Sequence, residues 1–356
     1  MKLGVFSIAP HEFPALEPEW NSLALPLRQP TLSHQWVQAM LSALMPGDTP
    51  FILALRDKQG RLQAGGALVR EAGSRYLRFL SNYAVPEPGY IIASNSNAQR
   101  QLFKAMRRLG HPLELTRIPF ELFDQNELGA SLGGGALRLI RPEGGSPWLP
   151  LEGTIEGFEQ GLSATRRSDL RRARRKAEAL GTVSSSLIQA TQATAPTFLA
   201  RYIELERHSW KYEAGSAILL DRKAHRFFSA LTASTLPLVF GFLTIDETVV
   251  AGQIMIDYAD TLWVLKTAFH KDFRSCSPGV LLMHEAVSYG LSKQRYAFEF
   301  LGFDEPWLRL WSQGMREYKT LKIYTYSRRG IAELCRDGVA LITRRLKPTP
   351  IPLPAQ

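Results

Sequence analysis

Only two cysteines, Cys276 and Cys335, occur in 356 residues, and they stand far apart. No disulfide framework and no CxxC knuckle can be built from them, which points to a reducing compartment. The seven histidines are scattered and there is no HExxH, so nothing in the sequence asks for a metal. A Walker A loop, GxGxxG and GxSxG are missing too, which removes the commonest nucleotide-binding and serine-hydrolase readings. Long apolar runs are absent as well. The longest uncharged stretch, Ser229–Ile245, is split by Pro237 and turns β-rich in its second half. The opening MKLGVFSIAPHEFPALE has one lysine and a short apolar run that Pro10, His11 and Glu12 interrupt, unlike a secretory signal. The expectation is a soluble, cytoplasmic protein.

Acid is in short supply. There are 33 Asp and Glu against 43 Lys and Arg, a formal charge of +10. Hydrophobic residues make up 45%, which is ordinary for a folded chain and too apolar for a disordered one. The length suggests two domains. The glycine-rich Gly129–Gly145 follows no strong strand and opens no clear helix, so it reads as a linker. The domains are therefore expected at 1–150 and 151–347, with a loose proline-rich tail at 348–356.

The two halves repeat each other coarsely. Ser33–Leu44 is a helix by its spacing, and Phe51–Arg56 and Leu62–Val69 are strands around a turn at 57–60. Arg75–Leu80 is a third strand, Ser96–Leu109 an amphipathic helix stopping at Gly110, and Leu113–Ile118 a further strand. The second half offers a basic helix, Arg166–Leu180, then a helix from Thr194 through Trp210 and another capped by Asp221. Strands follow at Leu238–Ile245, Val249–Tyr258 and Thr261–Phe269, then a loop, a helix Val280–Ser292 and a strand Tyr296–Leu301. A strand Leu321–Tyr326 and a helix Ile331–Leu346 finish the chain. Ala64-Gly65 and Ala251-Gly252 take the same place in the middle strand of each half. An offset of roughly 185 residues is too long for a solenoid and suits a duplicated domain.

The informative stretch runs from Thr261 to Leu301. A strand enters a loop carrying Arg274 and small residues, and Pro278-Gly279 then opens a helix. A helix start has free N–H groups and a positive dipole end, which suits a pyrophosphate, and proline costs nothing there. An ordinary strand–helix connection would look the same. Within FEFLG, alternation puts Phe298 and Phe300 on one face and Glu299 on the other. Glu299 could therefore be a base of raised pKa, or a carboxylate on a solvated face or paired with an arginine. His208 is the second candidate base, though helical histidines are commonly surface residues. Cys276 has no evident base beside it and is not read as a nucleophile.

RRSDLRRARRKAEALG, ERHSW at Glu206–Trp210, AGQ at Ala251–Gln253, SPGVLL at Ser277–Leu282 and FEFLGFDEPWLRLW at Phe298–Trp311 carry a resemblance. Over about residues 160–325 the chain resembles the acetyltransferase family of CelD-type cellulose and exopolysaccharide biosynthesis proteins, within the GNAT superfamily. More distantly it resembles the Fem-type aminoacyl transferases, which are tandem GNAT proteins. The resemblance implies an α/β fold of tandem GNAT-like domains, with mixed central sheets flanked by helices. It implies acyl-CoA, or another acyl thioester, as co-substrate and no metal. Leu265, Thr267, Arg274, Ser277, Gly279 and Val280 would hold the donor, a backbone N–H of the first strand receiving the thioester oxygen. Glu299 and His208 would serve as base and Tyr318 as acid, with Trp210, Gln253 and Trp307 contacting the acceptor. Family members often have a lysine after the aromatic that follows the glycine, whereas here Trp307 is followed by Leu308. The activity implied is transfer of an acyl group to an amine or hydroxyl of an envelope precursor, such as an exopolysaccharide sugar or a lipid amine. A Fem-like transferase using aminoacyl-tRNA, or an inactive scaffold of a polysaccharide synthesis complex, are the alternatives.

The basic helix carries much of the excess charge. Leu170, Ala173, Ala177 and Leu180 form a narrow apolar stripe among Arg166, Arg167, Arg171, Arg172, Arg174, Arg175 and Lys176. It reads either as a solvated helix or as a face for an anionic inner-membrane surface, a lipid-linked acceptor or an acyl carrier protein. No aromatic RNA-binding motif accompanies the arginines, so nucleic acid is the weakest partner.

Overall fold

The computed structural model describes residues 4–122 and 135–346. The first half runs β1 (Gly4–Ile8), α1 (Glu17–Ala24), α2 (His34–Ser42), β2 (Thr49–Arg56), β3 (Leu62–Arg70), β4 (Arg78–Phe79), β5 (Ile92–Ala93), α3 (Ser96–Arg108) and β6 (Leu113–Pro119). After β7 (Ala136–Pro150) come α4 (Ile155–Gly161), α5 (Ala164–Glu178), β8 (Val183–Gln189), α6 (Ala195–Arg207), α7 (Trp210–Glu213) and α8 (Arg222–Thr232). The chain continues through β9 (Leu238–Ile245), β10 (Thr248–Tyr258), β11 (Thr261–Phe269), α9 (Pro278–Ser292), β12 (Ala297–Glu299), β13 (Gly314–Thr325) and α10 (Arg328–Leu346).

Local chemistry accounts for the helix boundaries. Ser33 accepts a hydrogen bond from the Trp36 N–H, and Asp221 from those of Lys223 and Ala224, each satisfying donors that a helix start leaves open. The expected helix through Trp210 instead stops at Arg207. Ser209 caps a separate turn by accepting from the Lys211 N–H, which swings Trp210 and Lys211 off the axis of α6.

The smaller sheet is ordered β1-β2-β3-β4, with β5 also on β3. The larger is ordered β6-β13-β7-β12-β11-β10-β9-β8. A parallel bridge between Leu77 and Leu113 joins them beside β4 and β6, echoing the parallel pairing of β11 with β12 in the second half. The last strand of each half lies in the other half: β7 pairs with β12, β13 pairs with β6, and the two exchanged strands pair with each other. The expected linker is thus in part a strand, since residues 136–145 belong to β7. Residues 123–134, with Gly133-Gly134, lie outside the described residues, as does the tail expected at 348–356. A boundary at residue 150 follows the chain but does not divide the sheets.

Gly65 and Gly252 do occupy equivalent places. A Cβ at Gly65 would fall 2.4 Å from the Trp20 ring of α1, and one at Gly252 would fall 2.8 Å from Leu205 of α6. In both halves a helix crosses the middle strand too closely for a side chain. One hydrophobic core runs through both halves. Trp36 of α2 meets Phe227 of α8 with ring centroids 4.8 Å apart, and each is fully buried, stabilising the docking of the halves by about 2–3 kcal/mol per ring.

Candidate active site

The site begins where two strands part. β11 and β12 run parallel for three residue pairs, Thr261–Ala297, Leu262–Phe298 and Trp263–Glu299, and then β12 ends. Leu301 and Gly302 take positive φ and turn the chain away, so Val264–Phe269 has no partner on that side. On its other side β11 pairs with β10 through a bulge. Ile254 faces Lys266 and Met255 faces Val264, leaving Leu265 as the extra residue. A bulge re-aims the backbone and frees part of the ladder, as an oxyanion-binding N–H requires.

A cavity of about 410 Å³ occupies this gap. Of the residues singled out in the sequence, Trp210, Gln253, Thr267, Arg274, Ser277, Gly279, Val280 and Trp307 line it. Ser277, with φ of 51°, turns the 3-10 segment Lys271–Cys276 into α9, and its side chain makes no cap hydrogen bond. The first turn of α9 faces the cavity through Gly279 and Val280. Only Phe269, at 3.7 Å, comes near where a Gly279 Cβ would be, so there is room for an anion to approach the backbone. Arg274 lines the same end, and among the described residues it forms no ion pair. Arg274 and a helix start on a roomy backbone form a donor set that fits a pyrophosphate. The side-chain amide of buried Gln253 donates to Met283 Sδ at 3.7 Å, while its carbonyl oxygen has no partner.

Four candidates lie elsewhere. Glu299 is 3% exposed and lines a second, smaller cavity of about 200 Å³ with Arg28, Glu121, Arg316 and Tyr318. Arg316 donates to Glu299 Oε1 at 2.9 and 2.7 Å and stacks on the Trp148 ring, so the arginine-paired reading is the one observed. Burial pushes the Glu299 carboxyl up, against the pull of Arg316. Tyr318 lies under the Arg117 guanidinium, and burial pushes it up to about 12. His208 follows the end of α6 and stacks on His270 with centroids 4.8 Å apart. Its carbonyl receives the Lys271 N–H at 2.9 Å, which fastens the 3-10 segment. Leu265 is not among the cavity-lining residues; it packs against the large core.

Three ionisable residues were missed from the sequence. Lys211 lines the larger cavity and donates to the carbonyl oxygen of Thr267, on the unpaired stretch of β11, at 2.6 Å. Burial, helped by the nearby charge of Lys266, holds its ammonium down to about 8. Glu305 is at the cavity mouth and accepts from the Trp307 indole at 2.5 Å. Glu87, from the first half, accepts from the Gly302 N–H just past the end of β12. It is 6% exposed, and its Oε2 has no partner. The sequence held one usable signal, a lysine directly after the matched Trp210. Glu87, between Pro86 and Pro88 in a loop, offered none.

Ala173 and Ala177 of α5 are buried against α9, and Leu170 is partly buried, but Leu180 lies beyond the helix end and is 51% exposed, so the stripe stops short of it. Lys176 donates to the Ser275 carbonyl at 3.3 Å, tying α5 to the segment that carries Arg274. Among the described residues no cluster of three or more His, Cys, Asp or Glu gathers as a metal site, and no helix is long and apolar enough to cross a membrane.

Residues 164–319 match the family model described as an acetyltransferase (GNAT) domain. No curated protein matches the sequence. Among solved structures, the chain is similar to the C-terminal domain of a putative lysylphosphatidylglycerol synthetase from Agrobacterium fabrum. The identity is 11%, with 92% of this chain and 96% of that one covered and a TM-score of 0.59. FemX is similar at 11% identity, 92% and 98% coverage and a TM-score of 0.58. A tandem GNAT protein from the clavulanic acid biosynthesis pathway is similar at 14% identity, 91% and 98% coverage and a TM-score of 0.53. The second half is therefore similar to GNAT-type acetyltransferase domains, and the whole chain has a tandem GNAT-like fold.

Proposed function

We propose that the protein transfers an acyl group from a thioester such as acyl-CoA to an amine or hydroxyl, in the gap between β11 and β12. The observation that carries this reading is the continuity of one cavity from the bulged, unpaired strand to the first turn of α9 and Arg274. The donor's pyrophosphate would meet Arg274, Gly279 and Val280. Its pantetheine arm would run along Thr267–Phe269, replacing the missing strand. The carbonyl under attack would then lie by the bulge, where backbone N–H groups stabilise the developing oxyanion. As the acceptor's nitrogen or oxygen bonds to the carbonyl carbon and the C–S bond breaks, the electron pair goes to sulfur and the Lys211 ammonium supplies its proton; the proton that the acceptor sheds passes to water and restores Lys211. Glu299, clamped by Arg316, is left a structural role. Trp210 and Trp307, both partly exposed at the mouth, form an apolar cleft beside Glu305. A pyranose or an amine of an envelope precursor suits that combination of aromatic faces and carboxylate.

The test is Gly279→Asp. The change puts a carboxylate where phosphate would lie, yet it strains nothing, because the φ of Gly279 is ordinary and the space is open. Affinity for CoA should fall by about a hundredfold or more with the melting temperature unchanged. Undiminished affinity would remove the donor from this cleft.

The contact of Lys176 with the donor segment favours a second reading, in which the thioester or ester is presented by a polyanionic carrier. Arg171, Arg172 and Arg175 would then meet an acyl carrier protein or an aminoacyl-tRNA. Turnover with free acyl-CoA would exclude the need for a carrier, and loss of activity on RNase treatment would identify RNA.

A further inference from the structure

α10 is amphipathic the wrong way round. Its two acidic residues turn inward. Glu333 pairs with Arg75 and Arg336, and Asp337 accepts from Tyr76, Tyr324 and Lys322 at 2.7, 2.6 and 2.9 Å. Three of its large apolar residues turn outward, Ile331 at 51% exposed, Val339 at 61% and Ile342 at 60%, and Cys335 is exposed as well, while Leu334 is half-buried. At 100° per residue the exposed four fall within about 80° of arc, along about 17 Å of helix. No strand or helix covers them among the described residues.

We propose that this stripe docks on an anionic lipid bilayer. Charge decides the occupant. With Glu333 and Asp337 drawn toward the protein, the outward side offers apolar residues and the exposed Arg328, and exposed Arg336 borders it while pairing with Glu333. The whole chain carries +10. An apolar stripe bordered by arginine on a basic protein meets both requirements of interfacial binding, burial of apolar area and attraction to anionic headgroups. A second copy would fit worse, because the same face would bring Arg328 and Arg336 against their own equivalents. The inference is independent of acyl transfer, and it places the docking surface on α10 rather than on α5.

Full-length protein is sedimented with vesicles of phosphatidylcholine, alone or mixed with phosphatidylglycerol, at low and high salt. Wild type should sediment with the mixed vesicles at low salt and be released by high salt. The exposed pair Val339→Ser and Ile342→Ser should weaken partitioning by about tenfold or more, with an unchanged melting curve. Changing Arg171, Arg172, Arg174 and Arg175 to glutamine should leave it intact. The proposal fails if wild type stays in the supernatant at low salt, or if the serine variant sediments as well as wild type. It also fails if only the α5 variant loses binding, or if wild type runs as a dimer that the serine pair converts to monomer.

Discussion

Lys211 and Glu299 show how environment assigns roles to charged residues. Glu299 looked like a base because alternation places it opposite two phenylalanines, and it does point away from them. Alternation could not show that Arg316, seventeen positions on, reaches back across the sheet to neutralise it. Lys211 is in the opposite situation. Buried at the cavity with a carbonyl as its hydrogen-bond partner and a second lysine nearby, it has its proton loosened. If Lys211 donates to the leaving sulfur, kcat/KM should fall as pH rises through about 8. Lys211→Arg should lower turnover by roughly a hundredfold and abolish that inflection, because a guanidinium stays charged. Stability should move the other way. The folded state loses this proton near 8 while the unfolded lysine keeps it to about 10.4, so wild type should gain stability across that interval and the arginine variant should not. An inflection near 8 that persists in Lys211→Arg would assign the titration to another group.

At the scale of elements, legibility followed burial. α2 and α8 bury a regular face and are legible from their periodicity, while β9 and β10, buried almost throughout, are legible as apolar runs bounded by turns. β7 reads as a linker because nine of its first ten residues are exposed or half-exposed, Pro142, Gly144 and Gly145 among them, and its order comes from pairing with β13. β12 is shorter than its apolar run because Leu301 takes a positive φ, which leucine does not announce. The cavity was legible where backbone chemistry defines it, at Arg274–Val280. It was not where a cap reorients the chain, at Ser209–Lys211. α10 is legible as a helix, while which face it buries is not, because its inner face holds Glu333 and Asp337. That inversion makes one aspartate its anchor. Burial pulls the Asp337 carboxyl up, but hydrogen bonds from Tyr324, Tyr76 and Lys322 outweigh this and hold it down to about 2. Its contribution is therefore present above the ordinary value of 3.8 and lost as pH falls toward 2. Asp337→Asn should cost on the order of 2 kcal/mol at neutral pH and nothing near pH 2. Hydrogen exchange along α10 measures it, and unchanged protection at neutral pH would show that α10 is held by other contacts.

For the whole molecule, the exchange of β7 and β13 makes the two halves one folding unit. Within the larger sheet β13 pairs with β6 of the first half and β7 pairs with β12 of the second, and the core is continuous between the halves. Polar groups collect at the seam. Arg117, also fully buried, donates to Ser146 Oγ and to the Gly302 carbonyl at 2.7 and 2.8 Å, and Glu87 accepts from the N–H of the same Gly302. The first half therefore grips the turn that ends β12 and opens the gap beside β11. This grip costs stability at neutral pH. Burial pushes the Glu87 carboxyl up to about 7, and the attraction of Arg117 does not offset it. Between about 4.5 and 7 the folded state holds a proton that the unfolded chain has released, so stability should fall as pH rises through that window. The loss is on the order of 3 kcal/mol. Glu87→Gln keeps the shape and an acceptor oxygen for Gly302 while removing the charge. Its melting temperature should equal that of wild type near pH 4.5 and exceed it at pH 8, with the pH dependence between them flattened. A lower melting temperature for the variant at pH 8 would mean that the charge holds the seam by net attraction to Arg117, so that the halves are joined at this turn by an ion pair rather than by packing and strand exchange.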